Sequence, residues 1–494
     1  MKRLRILLVV CAVAAASCSG DFLDTRPKGK YHEGNYDMEH AEELLVVSKL
    51  FDGYNAFRDQ TWPVTAMHCH TSDNSHPGGP AGDGGSDFCQ FPTLSFTPAN
   101  SHILSYYSGQ YTAITKANEA LDMIAALSEG GASEAAVNQL TAEACFIRAA
   151  AYFRLTQAFG AVPYVDHVMD KGDEVADQLS ASEIRRRYTE RLAPLIGLLP
   201  TRREMVASGN LGRATQNAAR AILAKTSLYE KEYGTCLQYV ETIIASGDND
   251  LTTPYGDIWL ESNEYGPESV WEINADFAPD LNIDMWCQWN MMNGIRGYPN
   301  LGWGHNAPSE DLMEDYEKGD PRYGATVLED GQSVDGEVIV ASDYRYFNRK
   351  AYCPLSERSL YGRADWCFGY WSNLRIIRYA DVVLMGAEAA CETGDLTRAR
   401  ELLEMVRSRA RGDNSPLTCL PEIRTEDAAE LREAIRHERR IELALEFERY
   451  FDLVRWGIAA EKLPDFVTGK HELFPLPQSE IDKANGKLTQ NPGY

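Results

Sequence analysis

The sequence predicts a mainly α protein built of paired helices, interrupted by one irregular insertion that carries short strands. Three observations predict it. Apolar residues recur at helical spacing through long stretches in both halves of the 494-residue chain. Breaks such as Gly130-Gly131 divide those stretches into hairpins. Between the halves, residues 251–371 lose the period and gather glycines with Trp259, Trp271, Trp286, Trp289, Trp303 and Trp366, and Trp371 stands at the edge.

Taken in order, the chain opens with Lys2, Arg3 and Arg5, an apolar run from Ile6 to Ala16, and small residues before Cys18. This is the pattern of a lipoprotein signal peptide, residues 1–17, cleaved so that Cys18 becomes the lipidated N-terminus. Several acyl chains, at about 0.8 kcal/mol per buried methylene, make a stable membrane anchor. The competing readings are an ordinary secretory peptide or an N-terminal membrane anchor. Residues 18–35 are a polar leader with Pro27, Gly29 and Gly34, and 36–494 read as one α-rich domain. No later apolar run approaches the roughly 18–20 residues that span a bilayer. A formal charge of −25 repels phosphates and so disfavours a nucleic-acid partner.

A helix begins near Asp37. Residues 53–100 then form an irregular Gly/Pro-rich segment carrying Trp62, His68, His70, Asp73, Asn74, His76 and Phe88, a first candidate ligand surface. Helical pattern returns over about 101–160, 182–246 and 373–457. Its helices are expected at 101–127, 133–159, 182–198, 214–232, 235–246, 373–393, 395–410 and 427–457. The hairpins 218–244 and 379–406 resemble tetratricopeptide-type packing, in which small residues let paired helices approach. The window from Ile435 to Gly457 reads as a single deeply packed helix. Its row Glu438, Glu442 and Glu446 requires arginines against it, and Arg439, Arg440, Arg449 and Arg455 are the nearest in sequence. A catalytic carboxylate cluster is the alternative.

Aromatic rings in Gly-rich loops suit sugar rings, whose C–H faces stack on them, although each Trp equally reads as core of the insertion. A glycosidase reading rests on Glu310, Asp311, Glu314 and Asp315, which read more simply as a solvated helix. A metal reading rests on His68, Cys69, His70 and His76, but fixed ligand geometry is not evident there. Nine cysteines follow Cys18, an odd number. Cys69 with Cys89, and Cys353 with Cys367, are pairs that loops could bring together.

Seven blocks together carry a family likeness. They are the Cys18 leader with FLDTRP, AEACFIRAAAYFRLTQAFGAVPYV (142–165), GRATQNAARAILAKTSLYEKEY (212–233), GWGHNAPSEDLMEDYEKGDPRY (302–323), RYADVVLMGAEA (378–389), RHERRIELALEFERYFDLVRWG (436–457) and LFPLPQSEIDKANGKLTQNPGY (473–494). In order and nearly end to end, they resemble the SusD/RagB family of outer-membrane lipoproteins. The resemblance implies a tetratricopeptide-like body with an irregular ligand-facing half, anchored at Cys18 on the cell exterior. It implies a SusC-like TonB-dependent outer-membrane β-barrel as partner, a glycan or other nutrient as ligand, and no cofactor, metal or catalysis. The residues expected to touch ligand are Trp286, Trp289, Tyr298 and Trp303 from the insertion and Trp62, Asp73 and Asn74 from the first loop. The rival reading is a helical-repeat scaffold that binds peptide or protein.

Overall fold

The computed structural model describes residues 41–170, 175–278, 283–360 and 371–494. The signal peptide, Cys18, the leader, Trp366 and Cys367 lie outside the described residues.

Helix α1 (Ala41–Arg58) packs across the hairpin of α2 (Ser101–Glu129) and α3 (Glu134–Phe159). Local sequence sets these ends. The Asn100 side chain accepts the amides of His102 and Ile103, and Ser133 accepts that of Ala136, so orphan donors at both N-termini are satisfied. At the far end of α3, Gly160 takes φ 69°, which stops the helix. From Leu140 to Phe159 nearly every α3 residue is buried, so the helix has neighbours all round. Helix α4 (Ala181–Leu192) continues into a 3-10 turn, Ala193–Leu198.

Two further hairpins follow, α5 (Gln216–Tyr229) with α6 (Tyr233–Ser246), and α7 (Tyr379–Glu392) with α8 (Leu396–Arg411). Their stacking depends on small residues. A Cβ at Gly386 of α7 would lie 2.6 Å from a Val240 methyl of α6, closer than carbon atoms approach. The expected helix from 373 begins instead as a strand. β1 (Ser269–Ile273) pairs antiparallel with β2 (Leu374–Arg378), matching Leu374 to Ile273, and α7 starts only at Tyr379. That pair ties the end of the insertion to the repeats.

One large apolar core runs from Val46 to Leu476 and includes Trp271 and Trp289. The insertion adds a small core of its own from Ile295, Leu301, Leu328, Val334, Ile339 and Phe347. Residues 53–100 are more regular than expected: α1 runs on to Arg58, and Thr65–His70 forms a π-helical turn.

The window 435–457 is not one helix. α9 (Ala428–Glu442) ends, the chain turns through Leu445 at φ 65° and Phe447 at φ 82°, and α10 (Arg449–Trp456) begins. Distant side chains take up the carbonyls freed by the break. Lys350 Nζ donates to Ala444 O at 2.8 Å, Asn306 Nδ2 to Leu445 O at 3.1 Å, and His68 Nδ1 lies 3.2 Å from Phe447 O.

The glutamate row does meet arginines, but those of other elements. Glu438 receives Arg322 and Arg407; Glu442 receives Arg322, Arg378 and Arg409; Glu446 receives Arg378 and Lys350. Arginines within the window face elsewhere: Arg439 to Asp381 and Asp452, Arg440 to Asp311 and Asp315, Arg449 to Asp73, Arg455 to Glu388. Cys69 and Cys89 are separate thiols, not a bridge.

Candidate ligand site

Two loops meet to form an aromatic platform. Trp62 sits on the short helix Thr61–Val64 that follows α1. Trp303 sits in the insertion, between Gly302 and Gly304, and its loop is strapped to the short helix Trp289–Asn293. The straps are Trp303 N–H to Met291 O at 2.8 Å, Gly304 N–H to Gly294 O at 2.9 Å and His305 N–H to Met292 O at 2.8 Å. Gly302 is required because a Cβ there would meet the Met291 carbonyl oxygen at 2.5 Å. The first loop joins the insertion through the antiparallel pair Ser75–His76 with Ala307–Pro308.

The rings gather around Trp62. Trp303 lies 5.2 Å away at 42°, His102 stacks at 6.1 Å and 20°, and His305 and Phe88 close the other sides at 5.7 and 5.4 Å. His76 stacks on Tyr344 at 3.9 Å and 9°. Burial lowers the pKa of His76, His102 and His305 below the ordinary value, so these rings are neutral at pH 7. Beside them Arg296 pairs with Asp83 and, at 3.1 Å, with Asp343, all three side chains being roughly one-third exposed. Neutral aromatic faces next to half-exposed ionic hydrogen-bonding groups suit a hydroxylated, uncharged ligand.

The structure divides the expected site residues. Trp62 and Trp303 come together, and Trp303 is 36% exposed. Trp286 and Tyr298 are exposed too, at 37% and 58%, one after the strand Ile283–Met285 and the other on the strand Gly297–Tyr298.

Trp289, Asp73 and Asn74 are placed otherwise. Trp289 is 6% exposed and meets Phe447 edge-on at 4.7 Å, making it core. The Asp73 carboxylate accepts two 2.7 Å bonds from Arg449, and Asn74 Oδ1 accepts one from Arg440 at 2.9 Å. Burial works against the Asp73 charge, yet Arg449 and Arg440 hold its pKa below the ordinary range. Both residues therefore anchor the loop and do not face ligand.

Asp311 and Asp315 are engaged by Arg440, while Glu310 and Glu314 stand exposed on the same short helix. His68 has one ring nitrogen by Phe447 O and the other 3.0 Å from the Tyr106 hydroxyl, and burial lowers its pKa to about 3. Among the described residues no group of three or more His, Cys, Asp or Glu side chains is arranged to hold a metal ion. The platform members not foreseen are His102, His305, Arg296 and Asp83. The Gly-Trp-Gly run 302–304 was the available signal for the loop, but the partners lie on separate segments.

Residues 369–472 match the model of the SusD family, and residues 65–228 match one described as starch-binding associating with outer membrane. The chain belongs to the SusD/RagB family. A SusD-like protein of Bacteroides ovatus is 26% identical, over 92% of this chain and 83% of that protein. Among solved structures, a laminarin-binding SusD-like protein is 27% identical with a TM-score of 0.77, covering 91% of this chain and 99% of the other. Surface glycan-binding protein A from Bacteroides fluxus is 25% identical with a TM-score of 0.75, over 91% and 99%. The mainly α, tetratricopeptide-like architecture of this SusD/RagB member is thus shared with those structures.

Proposed function

We propose that this protein is a cell-surface, glycan-binding lipoprotein that holds an oligosaccharide on the Trp62–Trp303 platform and hands it to a SusC-like TonB-dependent outer-membrane β-barrel. The observation that carries the reading is the tryptophan pair, an exposed Trp303 on a strapped loop beside a half-buried Trp62, flanked by neutral histidines and the Arg296 ion pairs. Relatives that bind laminarin or other surface glycans support it. The role requires no catalytic step. The polypeptide loses residues 1–17, is lipidated at Cys18, and uses 18–35 as a tether between membrane and body. In this reading the exposed Trp286 and Tyr298 of the insertion also contact the ligand.

Removing Trp303 tests the ligand assignment. A stacked ring is worth about 0.5–1.5 kcal/mol beyond its buried area. Trp303→Ala therefore weakens glycan binding about tenfold or more in affinity electrophoresis against laminarin and starch. Unchanged retention on every glycan bound by the wild type would overturn the platform. For the anchor, Cys18→Ala is expected to abolish incorporation of labelled fatty acid and release the protein from the membrane fraction.

A further inference from the structure

A second opening borders the insertion's small core at Val334. The Ile295 and Leu301 side of that core belongs to the Trp303 loop, whereas Val334 belongs to the hairpin Ser333–Val334/Glu337–Val338. That hairpin, the turns Tyr255–Asp257 and Glu261–Asn263, and the short helix Leu355–Leu360 enclose a cleft of about 760 Å³. Trp259, Tyr352, Asp335, Glu357, Ser262 and Ser356 line it, and it shares none of these with the platform. The volume falls in the range of small-molecule sites.

We propose that this cleft is a second sugar-binding site, which takes a unit of the same neutral oligosaccharide chain whose other part lies on the platform. The inference rests on the glycan-binding reading and adds a site to it.

Trp259 is a prepared stacking surface. Lys350 Nζ sits 4.6 Å from its ring centroid, the Arg378 guanidinium 5.5 Å, and Tyr255 meets it edge-on at 5.3 Å. Lys350 does not line the cleft, so the cations hold the indole from the protein side while the half-buried ring borders the opening. A ring already fixed loses little freedom when a sugar stacks on it.

The polar lining is fixed as well. Tyr352 Oη donates to Asp335 Oδ2 at 3.0 Å, and the Leu355 amide donates to the same oxygen at 3.1 Å. Glu357 Oε1 accepts the Glu261 amide at 2.9 Å. Carboxylates oriented in this way accept hydrogen bonds from sugar hydroxyls, and the exposed Ser262 and Ser356 hydroxyls add donors.

Charge narrows the ligand class. Among the described lining residues, Asp257, Glu261, Asp335 and Glu357 face Arg349 as the one cation. Uronate- or sulfate-bearing sugars are repelled there, so the occupant is a neutral glycan.

The test uses the full mature lipoprotein in detergent, with calorimetric titration of laminarihexaose and maltoheptaose and affinity electrophoresis in laminarin. Trp259→Ala would disturb the packing around Lys350, so Ser356→Trp, which fills the cleft from an exposed position, is the primary variant. Asp335→Asn is the second, since asparagine tolerates the φ of 53° at that position.

In a Trp303→Ala background residual hexasaccharide binding is expected, and either cleft variant should reduce it at least tenfold. In the wild-type background Ser356→Trp should weaken laminarin retention severalfold, because the polymer loses its second hold. Loss of all binding in Trp303→Ala, with both cleft variants behaving as wild type, overturns the cleft and leaves the platform standing. Full binding in Trp303→Ala that disappears in Ser356→Trp does the reverse. A cleft saturated by a lysine-rich peptide, with no response to either sugar, overturns the sugar assignment.

Discussion

The lattice around Glu442 and the platform around Trp303 are both dense in residues that look functional, and burial separates them. In the lattice, Glu438 and Glu442 are fully buried and each is matched by two or more guanidiniums from other segments. On the platform, Trp303 lies exposed beside the half-buried Trp62, and the ion pairs next to them keep part of their surface in water. A saturated charge cluster has no capacity left for a ligand, whereas half-exposed groups do. The two regions are coupled at Arg440 and Arg449, which hold Asn74 and Asp73 in the loop that pairs with the insertion.

The largest effect is expected in the lattice. Glu442→Ala leaves Arg322, Arg378 and Arg409 short of a partner and should cost about 3–5 kcal/mol in urea unfolding, because an unmatched buried charge is poorly tolerated. Burial opposes the Glu442 charge, and Arg409, Arg378 and Arg322 outweigh it, holding its pKa at about 2, down from 4.5. Its folded value is the lower one, so this contribution is complete above about pH 4.5 and disappears as pH falls toward 2. Acid unfolding of the variant should therefore be shallower across that window than that of the wild type. Equal stability of the two proteins would show that the lattice is dispensable.

Asp73→Asn tests the coupling and should have an intermediate effect. Losing a charge-assisted pair with Arg449 costs about 1.5–3 kcal/mol. The loop beneath the platform also loses its anchor, so glycan affinity should fall severalfold although Asp73 is itself buried. A destabilised variant with wild-type affinity would show that the two regions are independent.

The helical hairpins were legible because their signals are local: the apolar period and the Gly130-Gly131 break. The break after Glu442 was not. Leu445 and Phe447 adopt positive φ without being glycines, at a cost of about 1–2 kcal/mol each. What offsets that cost comes from Lys350, Asn306 and His68, which are remote in sequence. Asp73 was misassigned for the same reason, since its partner Arg449 lies 376 residues away. Trp289 and Trp303 stand 14 positions apart in one insertion, yet Phe447 makes one of them core and open solvent makes the other a surface. Composition could nominate both and could not choose between them.

The smallest predicted effect concerns pH at the platform. His102 and His305 flank Trp62, and burial pushes both below the ordinary histidine value near 6.5; Asp87 pulls only weakly the other way on His102. Both rings are mostly neutral at pH 7 and above, so glycan affinity measured by titration calorimetry should be flat from pH 7 to 8. Below it, protonation places charge beside the indole face, and affinity should decline as pH falls. Acid weakening of the lattice begins lower, under about pH 4.5, so folded protein remains available for the measurement. A midpoint near pH 7 would mean that a histidine at the platform is more solvated than its packing against Phe88 implies, and that the ligand meets a charged surface.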